Sequence, residues 1–421
     1  MGKASLLMVL GFLVIFGSIR YRLGRWEVRS AELLSAEYRR TMARNIANSA
    51  VYIALRNLRE DFSWRPDPNP SDPLSLMGGT YTIKVEGQAE DSSLGLTTLR
   101  VTSTGTYWDI SRNVVVLLQK TSFSRYAYFT QYERMRGGRI IWFVTGDTIS
   151  GPLHTNDRIH IVGSPVFLGP VSSPYSPYIR YGDPQFLGGT YFGAQSITLP
   201  TDLAPLRYHA SRGGWVVNTD STGMDFWLNF QADGTIKYAF FNPRGRSRTP
   251  PSWNTFTPPA SFNGIISVVG SRDLHVQGVV NGRFTVSSEH NIYIEDDIVY
   301  AVDPREDPTS DDLLGLVAGE NVIVADHPAN WDNCEIHASI MALDESFTVE
   351  HYDYGSPRGV LTVLGGIIQV RRGPVGTFYW GGKIRSGYRK NYIYDGRLLV
   401  QSPPYFPVYD ENQIVSWLER K

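Results

Sequence analysis

One cysteine, Cys334, stands in 421 residues, so no intramolecular disulfide framework is available and zinc sites built from several thiolates are excluded. There is no charge excess of either sign, with 40 Lys+Arg against 41 Asp+Glu, so no global field argues for nucleic acid as a partner. Walker, dinucleotide-fold and nucleophile-elbow patterns are missing too, and nothing in the chain signals a cofactor. Only one strongly apolar run occurs, near the N-terminus. By contrast, the chain holds 40 Gly, 25 Pro, 24 Tyr, 19 Phe and 10 Trp. Aromatics suit pleated surfaces and Gly and Pro set turns, so this usage predicts many short strands and a mainly β body with room for two or three domains.

The apolar run extends from Ala4 to Ile19 without a charge, with Lys3 before it and Arg20, Arg22, Arg25 and Arg29 after. A bilayer core takes roughly 20 apolar residues, so this run spans if Arg20 and Arg22 snorkel to the headgroups. A cleaved secretory signal shares the charged start and short apolar core, but no A-x-A-like site follows Gly17. A buried core helix is the other alternative, disfavoured by the terminal position and basic flank. Charge bias leaves orientation open, because the four arginines could hold the C-terminal side in the cytoplasm.

Helical patterning continues without Pro as far as the loop at 63–79. Leu34, Tyr38, Met42, Ile46 and Ile53 form an approximate stripe, with Ala43, Ala47, Ala50 and Ala54 beside it to admit a close neighbour. The second half of this helix is expected to cover its own domain. Three strand-like runs follow the loop: TYTIKVEG, LTTLRVTSTG and NVVVLLQ. Together they predict a pilin-like α+β unit: residues 1–62 a membrane helix continuing as an amphipathic one, and 63–121 a linker and small antiparallel sheet.

Between 122 and 402, short alternating runs such as IISVVG, LHVQGVV, NIYIEDDIVYA and GVLTVLGGIIQV are separated by brief turns. This texture predicts a right-handed parallel β-helix; with no strict period visible, a β-sandwich with long insertions stays open. Residues 200–262 read as an inserted β module with ADGT as a hairpin turn, and 403–421 as a C-terminal tail.

The stretch ARNIANSAVYIALRNL resembles the N-terminal helix of type IV pilus assembly proteins of the PilX kind. SRYAYFTQYE, WFVTGDTISGPLHTNDRIHIVGSPVF, LGLVAGENVIV, IHASIMALDESF, LGGIIQVRRGPVG, GYRKNYIYDGRL and PPYFP resemble an uncharacterised family of bacterial surface proteins that join such a helix to a β-helical body. The resemblance implies a minor pilin-like or membrane-anchored surface protein, its body on the extracytoplasmic side, a structural or adhesive part of a type IV pilus or related assembly. Its partners would be the membrane and other pilin-like or envelope proteins, in an oligomer or filament; surface glycans are the partner under the alternative carbohydrate-binding reading. One departure stands out: the pilin processing signal is a Gly, an aromatic or Met, and a Glu four residues on, whereas Gly11 and Phe12 are followed by Phe16. That sets the chain against peptidase processing and incorporation into a filament.

Parallel β-helices host carbohydrate-active enzymes that use clustered carboxylates. Glu295, Asp296, Asp297 and Asp303 form the densest acidic cluster, yet Asp296 and Asp297 would face opposite ways on a strand, and Asp303 precedes Pro304 as turn residues do. His154, Asn156, Asp157 and His160 offer metal-ligand types, but a turn with backbone-bonded Asn156 and Asp157 is the commoner explanation for them. His327 and His337 are isolated, and Cys334 lies among apolar residues as a small core side chain does. The basic run RGRSR at 244–248 reads as a solvated loop or a stacking surface for bases or sugars. No residue is therefore assigned a catalytic, cofactor or metal role, and the chain is read as non-enzymatic; the alternative is a surface-anchored carbohydrate-binding or carbohydrate-active β-helix.

Overall fold

The computed structural model describes residues 2–66, 73–87, 98–243, 249–379 and 383–420, and among these the side chains of residues 3–5 and 410 are excluded. The chain is mainly β with one long N-terminal helix, and it divides into two compact units.

The first unit contains residues 1–89, 98–119 and 412–421. Helix α1 runs from Gly2 to Glu60. Its early part is long and apolar enough to cross a bilayer, and Leu7, Val14 and Phe16 lie 65–71% exposed. Its later part packs on an antiparallel sheet of β1 (Leu74–Leu76), β2 (Gly79–Gly87), β3 (Thr98–Tyr107) and β4 (Ile110–Ser122), with the strand Val408–Arg420 beside β4. The last strand occupies the segment read from sequence as a tail.

Of the expected stripe on α1, only Ile46 is fully buried. Ala43, Ile46, Ala47, Ala50, Val51, Ala54 and Leu58 are fully buried, whereas Leu34, Tyr38 and Ile53 are exposed. Close approach decides the difference: Gly105 of β3 faces the helix, and a Cβ there would overlap the backbone of Ala43 and Ala47. Only small side chains fit that contact, so the alanine row turns inward and meets Val85, Leu99, Val101, Val114 and Val116.

In the second unit, residues 90–97 and 120–411, parallel pairing dominates. One wall contains, in spatial order, Trp215–Asn218, Ile265–Val269, Arg283–Ser288, Leu313–Ala318, the later parts of Cys334–Ala342 and Pro357–Arg371, then Tyr128–Tyr132, Leu153–Thr155, Val171–Ser173 and Thr190–Phe192. The rungs nearest the N-terminus thus stack beyond the last ones of the chain, and a seam joins Ile367–Arg371 to Tyr128–Tyr132. Residues 193–214 return along this wall, where Leu199 and Leu206 pack on Val317, Met341, Ile368 and Phe129. The return ends in helix α2 (Ala204–Gly213), which the β-only reading of this region did not anticipate.

A near-constant period does exist locally. Phe143 pairs with Ile161 and Ile161 with Ile179, Thr148 with Val166 and Val166 with Gln185, Leu153 with Val171 and Val171 with Thr190, so the partners stand 18 or 19 residues apart. Gly151, Gly169 and Gly188 follow the same spacing at one corner, where a Cβ on Gly169 would overlap the Gly151 carbonyl. Elsewhere loops of varying length hide the period: Ile292 pairs with Val322 and Val322 with Phe347. An amide ladder marks the corner there. The Asn291 Nδ2 donates to Asp273 Oδ1 and the Asn321 Nδ2 to Asn291 Oδ1, both at 3.1 Å, while Ser346 N–H donates to Asn321 Oδ1.

The module at 200–262 is not a pure insertion. Phe226–Phe230 forms the expected hairpin with Ile236–Phe240 around the ADGT turn, but its other edge pairs in parallel with Leu274–Gly278 and so belongs to a second wall of the stack.

Candidate functional site

The acidic cluster separates because the backbone bends through it. Strand Ile292–Tyr300 keeps register with Leu274–Val280 up to Ile294 and resumes at Ile298, so Glu295, Asp296 and Asp297 occupy an irregular corner. Glu295 is buried against His275. Asp296 accepts the Asp297 N–H, and Asp297 accepts the Glu335 N–H at 2.7 Å. Burial pushes the Asp297 carboxyl above the ordinary range.

Asp303 instead joins Glu335 and His337, whose ligand atoms all lie within 4.8 Å of one another. A guanidinium already sits among them: Arg305 Nη2 is 2.5 Å from Asp303 and 2.7 Å from Glu335. The Arg305 hydrogen bond holds the Asp303 carboxyl below its usual range; for Glu335, burial would raise it, but His337 and Arg305 outweigh that effect. The Tyr300 N–H donates to His337 Nδ1 at 3.0 Å, which places the proton of a neutral ring on Nε2, facing Glu335 at 2.9 Å. That nitrogen has no lone pair for a metal, so the arrangement is an ion-pair network closed by Arg305.

His154 and His160 do not converge. His154 Nδ1 lies 2.8 Å from Ser172 Oγ and its Nε2 3.0 Å from Asn156 Oδ1, whereas His160, on the next strand, packs edge-on against Trp142. Burial lowers both histidines. Asn156 also bonds Gln131 and the Ile197 backbone, and Asp157 is held by Arg134 at 2.8 Å. His327 caps the Pro328–Asn330 turn through Ala329 N–H. Cys334 is buried in the core, which pushes its thiol well up. The RGRSR run lies outside the described residues.

Two buried clusters escaped the sequence reading. In the first, Trp227, His275 and Tyr293 pair in register on three neighbouring strands and stack face to face, with centroids 4.0 and 5.2 Å apart. Glu295 Oε1 is 2.6 Å from His275 Nδ1, and Asp225 Oδ2 is 3.6 Å from Nε2. Burial opposes charge on this ring, but the two carboxylates prevail and raise its pKa. Burial with nearby Asp273, Glu350, Glu295 and Asp225 pushes Tyr293 up to about 12. Trp227 is distant from His275 in sequence, so only the alternation in LHVQGVV could have signalled an outward His275.

The second cluster lies at the seam. Arg372 Nη1 donates to Glu133 Oε2 at 2.9 Å and to the Ile141 carbonyl at 3.0 Å, with its guanidinium 3.8 Å from the Phe143 ring centroid. Glu133 also accepts the Thr130 hydroxyl proton. Lys390 lies 3.8 Å from Asp147, and although 21% of its side chain is exposed, burial of the ammonium lowers its pKa. Arg372, Phe143, Asp147 and Lys390 border a cavity of about 20 Å³, room for one water.

A family model described as a domain of unknown function, DUF4900, matches residues 80–174, less than a quarter of the chain. No curated protein matches it. Among solved structures, the competence-associated pilin ComZ from Thermus thermophilus is similar at 11% identity and a TM-score of 0.40, covering 90% of this chain and 97% of that one. A likeness at that identity and score does not establish a common fold.

Proposed function

We propose that this chain is a single-pass membrane protein whose body lies on the extracytoplasmic side, a non-catalytic structural or adhesive component of a type IV pilus or related envelope assembly. The observation that carries the proposal is α1: a helix apolar along its first turns, exposed there, that continues into a unit where its alanine face is buried. Apolar surface of that extent calls for lipid or a helical neighbour, and Arg20 and Arg22 at its end suit a headgroup layer. The PilX-like ARNIANSAVYIALRNL stretch supports the pilus connection, with Phe16 in place of the usual Glu favouring an unprocessed protein over a filament subunit.

The second unit is read as a right-handed parallel β-helix, supported by the parallel pairing of its walls and the local 18- or 19-residue spacing. Fractionation tests the anchor. The full chain should pellet with membranes, resist carbonate and dissolve in detergent, and a form lacking residues 4–19 should leave that fraction. A full chain that washes off with carbonate would overturn the anchor.

A further inference from the structure

The last rung of the local repeat has a neighbour on one side only. Tyr178–Ile179, Gln185–Phe186 and Thr190–Phe192 each pair with the rung before them, and no described strand pairs with their other edge. The inward columns lose their cover at the same level: Phe143 and Ile161 are 1% and 0% exposed, whereas Ile179, next in that column, is 42% exposed. Phe186 stacks on buried Phe167 at 4.9 Å and is itself half-buried, as is Phe192 beside it. Solenoids ordinarily end in a polar cap, and free edges are blunted by Pro, Lys or an inward charge. None of these stands in the three strands. The other end of the stack differs, since half-buried Trp215 packs there with ring centroids 4.5–5.5 Å from Phe226, Tyr238 and Phe256, and the hairpin continues the edge in antiparallel strands. We propose that the exposed last rung is a self-association surface, on which a second copy of this chain docks end to end in a two-fold dimer.

A second copy satisfies edge, core and charge together. A two-fold axis across the stack reverses strand direction, so the two end rungs meet antiparallel, an arrangement in which free edges hydrogen-bond. With the axis through the corner Tyr181–Gly182, Tyr178–Ile179 of one copy faces Gln185–Phe186 of the other, and Thr190–Phe192 faces itself. Ile179 then covers Phe186 of the second copy. Arg180 and Asp183 flank that corner and are both exposed, so each arginine meets the other copy's aspartate and the rim is self-complementary in charge. Because the aromatic cluster closes the opposite end, association through this contact stops at two copies and grows no filament. A rung offers about twenty residues a side, the lower limit of a standard interface, which puts the dissociation constant on the order of micromolar. The contact is independent of anchoring by α1 and goes beyond the proposed envelope role.

Sedimentation velocity of the full-length protein in density-matched detergent, from about 0.1 to 100 µM, tests it. The chain should pass from monomer to dimer with no larger species. Arg180→Asp and Asp183→Arg should each weaken the dimer about ten-fold or more, because like charges then face one another twice, and the chain carrying both reversals should regain the parent's affinity. Ile179→Asp should weaken it as well, while Tyr354→Asp, exposed and outside this rung, should not. Melting temperatures of the two charge variants within about 2 °C of the parent would show that they fold. A monomer throughout the range, a dimer untouched by the single reversals and therefore held by α1 or another face, a double reversal no tighter than the singles, or growth beyond the dimer would each overturn the proposal.

Discussion

Breaking the Arg372–Glu133 pair probes the seam that gives the second unit its unusual rung order. Arg372 is 4% exposed and Glu133 fully buried, so neither charge can turn to water when its partner is removed. Glu133→Gln would leave the guanidinium with the Ile141 carbonyl, the Phe143 ring and distant Asp147. Removal of one member of a buried pair costs about 3–5 kcal/mol. At about 2–4 °C per kcal/mol for domains of 150–250 residues, the melting transition should drop by about 6 °C or more. Arg372→Leu should cost a similar amount. The double variant Arg372→Leu with Glu133→Leu should recover most of it, because apolar side chains of similar volume replace buried pairs at little net cost. Thermal melts followed by tryptophan fluorescence, arranged as a double-mutant cycle on the full chain, measure the coupling. Single variants within about 1 kcal/mol of the parent, or a double variant no better than either single, would refute the assignment of this pair as a clamp on the seam.

Two further outcomes follow from the same packing. Gly169→Ala places a Cβ against the Gly151 carbonyl and should destabilise by about 1–3 kcal/mol in urea unfolding, while Gly396→Ala, with open space around it, should stay within about 0.5 kcal/mol. His275 titrates above its ordinary value, so its contribution is full below the unfolded pKa near 6.5 and is lost as pH rises through the folded value. The parent's stability relative to His275→Gln should therefore fall above the ordinary histidine range, by up to about 1.4 kcal/mol per pH unit. A pH-independent difference would show that Asp225 and Glu295 do not hold the ring charged.

Much of the architecture was legible from pattern. The apolar run followed by Pro-free helix marked α1, alternation in TYTIKVEG and LTTLRVTSTG marked β2 and β3, and ADGT marked the hairpin turn. What escaped depended on distance in the chain. The inward face of α1 follows from Gly105, which sits some sixty residues beyond the alanines it admits. The 18- and 19-residue period was masked because loops of differing length separate later rungs. Candidate chemistry was less legible still. Acidic residues adjacent in sequence diverge at the bend around Asp296, while His275 and Trp227, or Glu133 and Arg372, meet only because walls stack in parallel.

The placement of the body is tested most directly by adding protease to intact cells that make the full chain. The account predicts digestion of residues 120–411 from outside while a cytoplasmic marker survives. A body that stays whole until the membrane is opened would contradict it.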